Sequence, residues 1–159
     1  MGEDHPHTLF VAIVLAGALR GLGQYEAARQ LAEDTLTRHR RTLGHDHPDT
    51  LRFANSLAVA LQNLGQYEAA HRLAEDTLTR CRRVLGEDHA DTLRSAFVLA
   101  GILGELGQGE RGRQLGEDTL TRMRRVLGED RPDTLRAAHR FGAALANRGE
   151  EEQAPRREK

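Results

Sequence analysis

The sequence contains little of what builds sheets or closes small disulfide-bonded domains. Aromatic residues make up 4% of the 159 residues, tryptophan is absent, and there are four prolines and one cysteine. Most of the apolar residues are leucine and alanine, which favour helices over strands. The sequence therefore predicts an all-α protein.

Cysteine and lysine are each almost missing, and both absences exclude chemistry. Cys81 stands alone, so no disulfide can form within the chain, and we expect a reducing, cytoplasmic location. The one lysine is Lys159, so no internal lysine can serve a phosphate loop or a Schiff base. Arginine in place of lysine is typical of GC-rich bacterial genomes, and we expect a bacterial protein.

The charge balance argues against nucleic acid and membrane partners. The formal net charge is -1, so no overall field attracts polyanions. Arginine clusters at 38–41, 80–83 and 122–125 each follow a Glu-Asp pair, and no aromatic residues interleave with them to stack bases. The apolar run 10–19 is too short to span a bilayer.

The chain repeats itself every 42 residues, in units 2–43, 44–85 and 86–127, with an incomplete fourth unit from 128. The first two units agree at 29 of 42 positions, and the second and third agree at 26. A fixed period of this length indicates stacked units, each of which packs on its neighbours.

Each unit contains two helical patterns. In the second unit, leucine and alanine recur every three or four residues over 51–64, and another such stripe covers 67–85. Pro48 suits the first turn of a helix, and Gly65 suits its left-handed end. The short connection between the two stripes predicts an antiparallel hairpin.

These residues resemble a known repeat family. The second unit carries the signature positions Leu57, Ala58, Leu61, Leu64, Gly65, Tyr67, Ala70 and Leu78. They are similar to the tetratricopeptide repeat, and the 42-residue period resembles its kinesin-light-chain variety. Over residues 2–148 the resemblance implies a right-handed superhelical α-solenoid of antiparallel helix hairpins, with a concave groove formed by the first helix of each unit.

The last unit is incomplete. Pro155 falls where a second helix should continue. We therefore expect one repeat domain over 2–148, with a solitary capping helix in 128–148 and a charged, flexible tail over 149–159. The polar outer face of the cap is expected to carry Arg136, Arg140 and Asn147.

No motif indicates catalysis or a cofactor. Histidines such as His47 and His89 sit beside aspartates, but they repeat with the unit instead of converging on one metal. Their loops instead provide groups that satisfy the start of a helix. Cys81 takes a position held by His39 and Met123 in other units, which indicates a tolerant, partly buried site. We predict no enzyme activity, no metal and no cofactor.

The groove positions implied by the resemblance mix apolar and polar side chains. They are Phe10, Ile13, Gly17 and Arg20, then Arg52, Asn55, Val59, Gln62 and Asn63, then Arg94, Phe97, Gly101 and Glu105, and finally Arg136, His139 and Ala143. We predict peptide contacts at Arg52, Asn55, Gln62, Asn63, Arg94, Phe97, Arg136 and His139, because amides both donate and accept hydrogen bonds and arginines bind carboxylates. Ordinary solvated helix surface is the competing interpretation of each position.

Our first functional hypothesis is a non-catalytic scaffold that binds a peptide with apolar and acidic side chains. The alternative is a sensor or regulatory repeat arm detached from a bacterial signalling ATPase. A third hypothesis is self-association, because the uncapped first helix would expose Phe10, Val11 and Val14.

The third unit departs from the pattern at Gly109, Gly112 and Gly116, where the second unit has tyrosine and two alanines. Each glycine inside a helix costs roughly 1 kcal/mol relative to alanine. We expect the helix over about 110–126 to be the least stable internal one, with amide exchange faster than in the second helix of the second unit. Slower exchange there would contradict this prediction.

Overall fold

The computed structural model describes residues 6–153, with side chains for residues 11, 12 and 14–146. Within that span the chain forms seven helices and no strands. The helices are α1 (Pro6–Gly21), α2 (Tyr25–Thr42), α3 (Pro48–Asn63), α4 (Tyr67–Leu85), α5 (Ala90–Glu105), α6 (Gly109–Leu127) and α7 (Pro132–Gln153). We call α1, α3, α5 and α7 the first helices, and α2, α4 and α6 the second helices.

The turns inside the units are nearly identical. Gly23, Gly65 and Gly107 each have a φ of +74°, the left-handed conformation that ends a helix and that glycine adopts without a steric penalty. The predicted left-handed stop at Gly65 is therefore confirmed. Because the same turn recurs, successive hairpins have the same shape and stack with one repeating geometry.

The loop histidines begin the first helices. The backbone N–H of Asp49 donates to Nδ1 of His47 at 3.2 Å, and that of Asp91 donates to Nδ1 of His89 at 3.1 Å. Pro48 occupies the first turn of α3, where its missing N–H costs nothing. The interpretation of this loop as a helix start is confirmed.

The core is a continuous seam of leucine and alanine that crosses the unit boundaries. Ala58, Ala70 and Ala74 are completely buried, and they belong to the same cluster as Leu36 and Ile102 from the neighbouring units. Small side chains at the helix contacts let the backbones approach closely, so the leucines of one helix fill the gaps beside the next.

Each junction between units is filled by a different pair of side chains. His39 of α2 packs on Phe53 of α3 with ring centroids 4.5 Å apart. At the equivalent place the Cys81 thiol contacts Ser95, and burial raises the pKa of this thiol to about 11. Cys81 is fully buried, more so than expected, and burial favours the neutral thiol over the reactive thiolate.

The glycines of α6 sit where α5 and α7 approach most tightly. A Cβ on Gly112 would lie 2.6 Å from the carbonyl oxygen of Ala100, and one on Gly116 would lie 2.8 Å from the ring of Phe141. Their lack of a side chain therefore has a packing role that the repeat comparison did not indicate. The expected low stability of α6 stays a prediction.

The last helix differs from expectation in two ways. α7 continues to Gln153, so residues 149–153 are helical, because glutamate and glutamine extend a helix readily and one glycine does not stop it. The tail was predicted over 149–159, and the part of it after 153 lies outside the described residues. Arg136 and Arg140 line the concave side and not an outer face, and their spacing of four residues puts both on one side of α7. The side chain of Asn147 lies outside the described residues.

We expect Gly112→Ala to destabilise the fold by about 1–3 kcal/mol, because the new methyl group overlaps a backbone oxygen that cannot move aside. Gly142→Ala is the matched control, since a Cβ there meets nothing within 4 Å. It should instead stabilise α7 by up to roughly 1 kcal/mol through helix propensity. Urea unfolding of both variants tests this, and equal stabilisation by the two substitutions would contradict the packing role of Gly112.

Candidate functional site

A cavity of about 530 Å³ opens on the side of the molecule formed by the first helices, and we call it the concave groove. All four first helices contribute to it, together with Met123 of α6. Its lining consists of Arg20, Arg52, Asn55, Ser56, Val59, Arg94, Phe97, Val98, Met123, Asp133, Arg136, Ala137 and Arg140. The groove therefore combines an apolar floor with an arginine-rich rim.

The predicted contact residues divide between this groove and its surroundings. Five of them line it, namely Arg52, Asn55, Arg94, Phe97 and Arg136. Gln62 lines an adjoining cavity of about 370 Å³ that shares Phe97 and Arg140 with the groove. Asn63 and His139 are exposed and lie outside both linings.

Three of the groove arginines are already paired with aspartates of the chain itself. Arg52 contacts Asp49 at 3.2 Å and Asp91 of the next unit at 3.0 Å. Arg94 contacts Asp91 at 2.6 Å and Asp133 of the following unit at 2.7 Å. Arg136 pairs with Asp133. We call these three arginines and three aspartates the charge ladder.

The charge ladder joins units and neutralises its own arginines. The hydrogen bond from Arg52 reaches an Asp91 side chain that is only 4% exposed, and it raises the pKa of Arg52. Burial opposes ionisation of Asp133, but Arg94 and then Arg136 more than offset this effect and lower its pKa. The carboxylate-binding capacity that we predicted for these arginines is thus largely used within the chain.

Asn55 is also engaged between units. Its side chain is buried, and its amide oxygen accepts a hydrogen bond from the hydroxyl of Ser95 at 3.0 Å. Its amide nitrogen has no partner among the described residues, so this group is left to donate into the groove.

Two further arginines of the groove have no acidic partner among the described residues. Arg20 of α1 and Arg140 of α7 both line the cavity, beside Phe97. Burial, and then the positive charge of Arg140, lower the pKa of Arg20. Two cations held near each other at a partly enclosed surface favour an anion between them. Arg140 was not predicted to lie in the groove. Its spacing of four residues from Arg136 could have indicated that both lie on the same side of α7.

The arginine clusters at 80–83 and 122–125 pair with the loops that precede α3 and α5. Arg80 and Arg83 contact Asp46 at 3.0 and 2.7 Å. At the equivalent position Arg122 approaches Asp88 at 3.9 Å and Arg125 approaches it at 3.3 Å. We call these pairs the loop bridges. They hold the ends of α4 and α6 against the starts of their own units and compensate these two clusters electrostatically.

Other kinds of site are not visible in the part of the chain that the structure describes. Between residues 6 and 153, no three or more of the histidine, cysteine, aspartate or glutamate side chains that the structure describes are arranged to hold a metal ion. No helix in that span is long and apolar enough to cross a membrane.

The sequence profile of the tetratricopeptide repeat family matches residues 12–49, 50–91 and 92–133. These matches cover most of the chain, which therefore belongs to the tetratricopeptide repeat family. Repeats of this family generally mediate contacts between proteins. No curated protein matches the chain at a significant level.

Solved structures refine the class to kinesin-light-chain-like repeats. Nearly identical repeats from Podosopora anserina, described as those of a kinesin light chain, are 27% identical, with a TM-score of 0.78 over 95% of this chain and 72% of that one. A single-residue variant of them, also 27% identical, has a TM-score of 0.68 over 97% and 73%. BtubC (BKLC) from P. vanneervenii, at 16% identity and a TM-score of 0.62 over 96% and 68%, shares the fold alone. The predicted kinesin-light-chain variety and the right-handed superhelical α-solenoid are confirmed.

The charge ladder predicts a specific pH dependence. The pKa of Asp133 is lowered by folding, so its ionised form stabilises the protein above the unfolded value of about 3.9, and this contribution disappears as the pH falls through the folded value. We expect Asp133→Asn to lower stability at pH 7 by about 1 kcal/mol. Urea midpoints measured at decreasing pH should show the difference from wild type vanishing in acid.

Asp34→Asn is the matched control for this experiment, because Asp34 is exposed and outside the charge ladder. Its effect should be small at every pH. An Asp133 variant that is as stable as wild type at neutral pH would show that the ladder does not couple the units.

Proposed function

We propose that the chain is a non-catalytic scaffold that binds a peptide segment with acidic and apolar side chains in its concave groove. The observation that carries this proposal is the position of Arg20 and Arg140 beside Phe97 in one cavity, without acidic partners among the described residues. The similarity to kinesin-light-chain-like repeats supports the general class, a protein-binding module.

The chemistry of the groove selects an acidic ligand. The charge ladder neutralises Arg52 and Arg94 internally, so these two guanidinium groups order the rim without adding much free charge. Arg20 and Arg140 remain as donors, and each can bind a carboxylate through two parallel N–H groups. Phe97 offers an apolar surface next to them, where an aliphatic or aromatic side chain of the ligand can be buried.

The groove is expected to bind its peptide with modest affinity. An extended segment must be ordered to bind, and this conformational cost keeps the affinity of a single groove modest. A free-standing scaffold and a regulatory arm detached from a signalling ATPase would use the same groove, so one binding experiment serves both hypotheses. A bacterial origin and a cytoplasmic location stay predictions from the composition.

We expect Arg20→Gln combined with Arg140→Gln to weaken binding of acidic peptides by about tenfold or more, because each substitution removes a charge-assisted carboxylate contact. Binders would be selected from a displayed peptide library on the wild-type chain, and their affinities measured by fluorescence anisotropy. The selected peptides should be rich in aspartate and glutamate next to an apolar residue.

The control for this variant is Arg124→Gln, because Arg124 is an exposed arginine of α6 that does not line the groove. It should leave both affinity and melting temperature unchanged. Arg94 and Asn55 are less suitable, because each also joins two units. Full affinity in the Arg20 and Arg140 double variant, or selection of peptides without acidic residues, would refute the groove assignment.

A further inference from the structure

The last helix exposes apolar positions that are buried in the units before it. Leu135 is 55% exposed, whereas its equivalents Leu93 and Leu51 are 2% and 1% exposed. Leu145 is 40% exposed, and the equivalent Leu103 is 3% exposed. We call the surface of α7 formed by Leu135, Gly142 and Leu145 the open face.

The structure shows what covers this surface in the preceding unit. Leu103 and Ala100, equivalent to Leu145 and Gly142, lie against Gly112 of α6. Leu93, equivalent to Leu135, packs in one cluster with Leu120 of α6. The surface is therefore the seat of a second helix, and in the described chain no second helix occupies it on α7.

The aspartates in the loops before the first helices differ in the same way between α7 and the earlier units. Asp46 and Asp88 each anchor two arginines near the end of the second helix of their own unit through the loop bridges. Asp130 is the equivalent aspartate before α7, and it is exposed and has no arginine partner among the described residues. The open face thus lies beside an acidic anchor whose counterparts are both paired.

We propose that the open face and Asp130 together bind an amphipathic helix of a partner protein that has the chemistry of a second helix. This helix would present two small residues four positions apart to α7. It would carry arginines ten and thirteen residues after the first of them, as Arg80 and Arg83 follow Ala70. Continuity with the α5–α6 interface defines the apolar half of the site. Asp130, which has no arginine partner among the described residues, defines its acidic half, which the arginines of the ligand would contact.

A second copy of this chain is a poor occupant. Its helices α2, α4 and α6 each pack between two first helices and are therefore not free to dock. Its α1 does expose Val11 and Val14, so self-association through that surface remains a distinct outcome of the test. The open face lies outside the lining of the concave groove, although Leu145 also lines the adjoining cavity. The proposal does not depend on the function proposed for the groove.

The probe is a labelled peptide with the sequence of α4, Tyr67–Leu85, with Cys81 replaced by alanine. A hydrocarbon staple across Glu68 and Arg72, which are both exposed in α4, holds it helical, so that the cost of folding the peptide does not mask binding. Titration of the full chain should give saturable binding by anisotropy.

Two matched changes isolate the site. A peptide with Arg80→Gln and Arg83→Gln should bind about tenfold more weakly, and Asp130→Asn in the chain should weaken the unmodified peptide similarly. The two changes combined should cost little more than either alone, because they remove the same contact. Leu135→Glu in the chain should abolish binding without lowering the melting temperature, since this side chain is already more than half exposed.

Three results would overturn the proposal. The first is the absence of saturable binding by the stapled peptide. The second is undiminished binding to the Leu135→Glu chain, which would place the peptide elsewhere, for example on α1. The third is a dimer by light scattering that Leu135→Glu dissociates and the peptide does not, which would assign the open face to self-association.

Discussion

Close approach between each second helix and the first helix of its unit is the constraint on which the architecture depends. Every second helix carries two buried small residues four positions apart, namely Ala28 and Ala32, Ala70 and Ala74, and Gly112 and Gly116. In α6, Gly112 faces α5 of its own unit, and Gly116 faces Phe141 of α7. Because Gly112 has no side chain, the backbones of α5 and α6 can approach closely at this contact. The spacing of the units follows from this contact. The charge ladder in turn depends on that spacing, since its arginines reach the aspartates of the next unit at about 3 Å.

This dependence separates two groups of arginine that look alike in the sequence. Arg52 and Arg94 stand on the groove rim, but their charge is committed to holding neighbouring units in place. Arg20 and Arg140 occupy the same cavity without such partners among the described residues, and the preference for acidic peptides that we propose for the groove depends on them. A basic surface therefore cannot be judged from the number of arginines, because the acids that the fold brings to them decide how much charge is left.

The sequence predicted what is local and periodic. The bounds of α4 and the left-handed turn at Gly65 could both be predicted from spacing within one unit, because helix ends are set by residues a few positions apart. Contacts between units were harder to predict. The pairing of Arg52 with Asp91 and of Asn55 with Ser95 joins residues about 40 positions apart, and it depends on the rotation between hairpins, which periodicity does not specify.

The side-chain pairs that fill the junctions between units affect how such a repetitive chain reaches one native state. These pairs differ in size and polarity at equivalent places: His39 with Phe53, Cys81 with Ser95, and Met123 beside Ala137. If a hairpin docked onto the wrong neighbour during folding, a bulky ring would meet a hydroxyl or a thioether would face a void. Near-identical units are prone to misassembly and domain swapping. Because the side-chain pairs at the junctions differ, units that stack in an incorrect order are less stable than the native order.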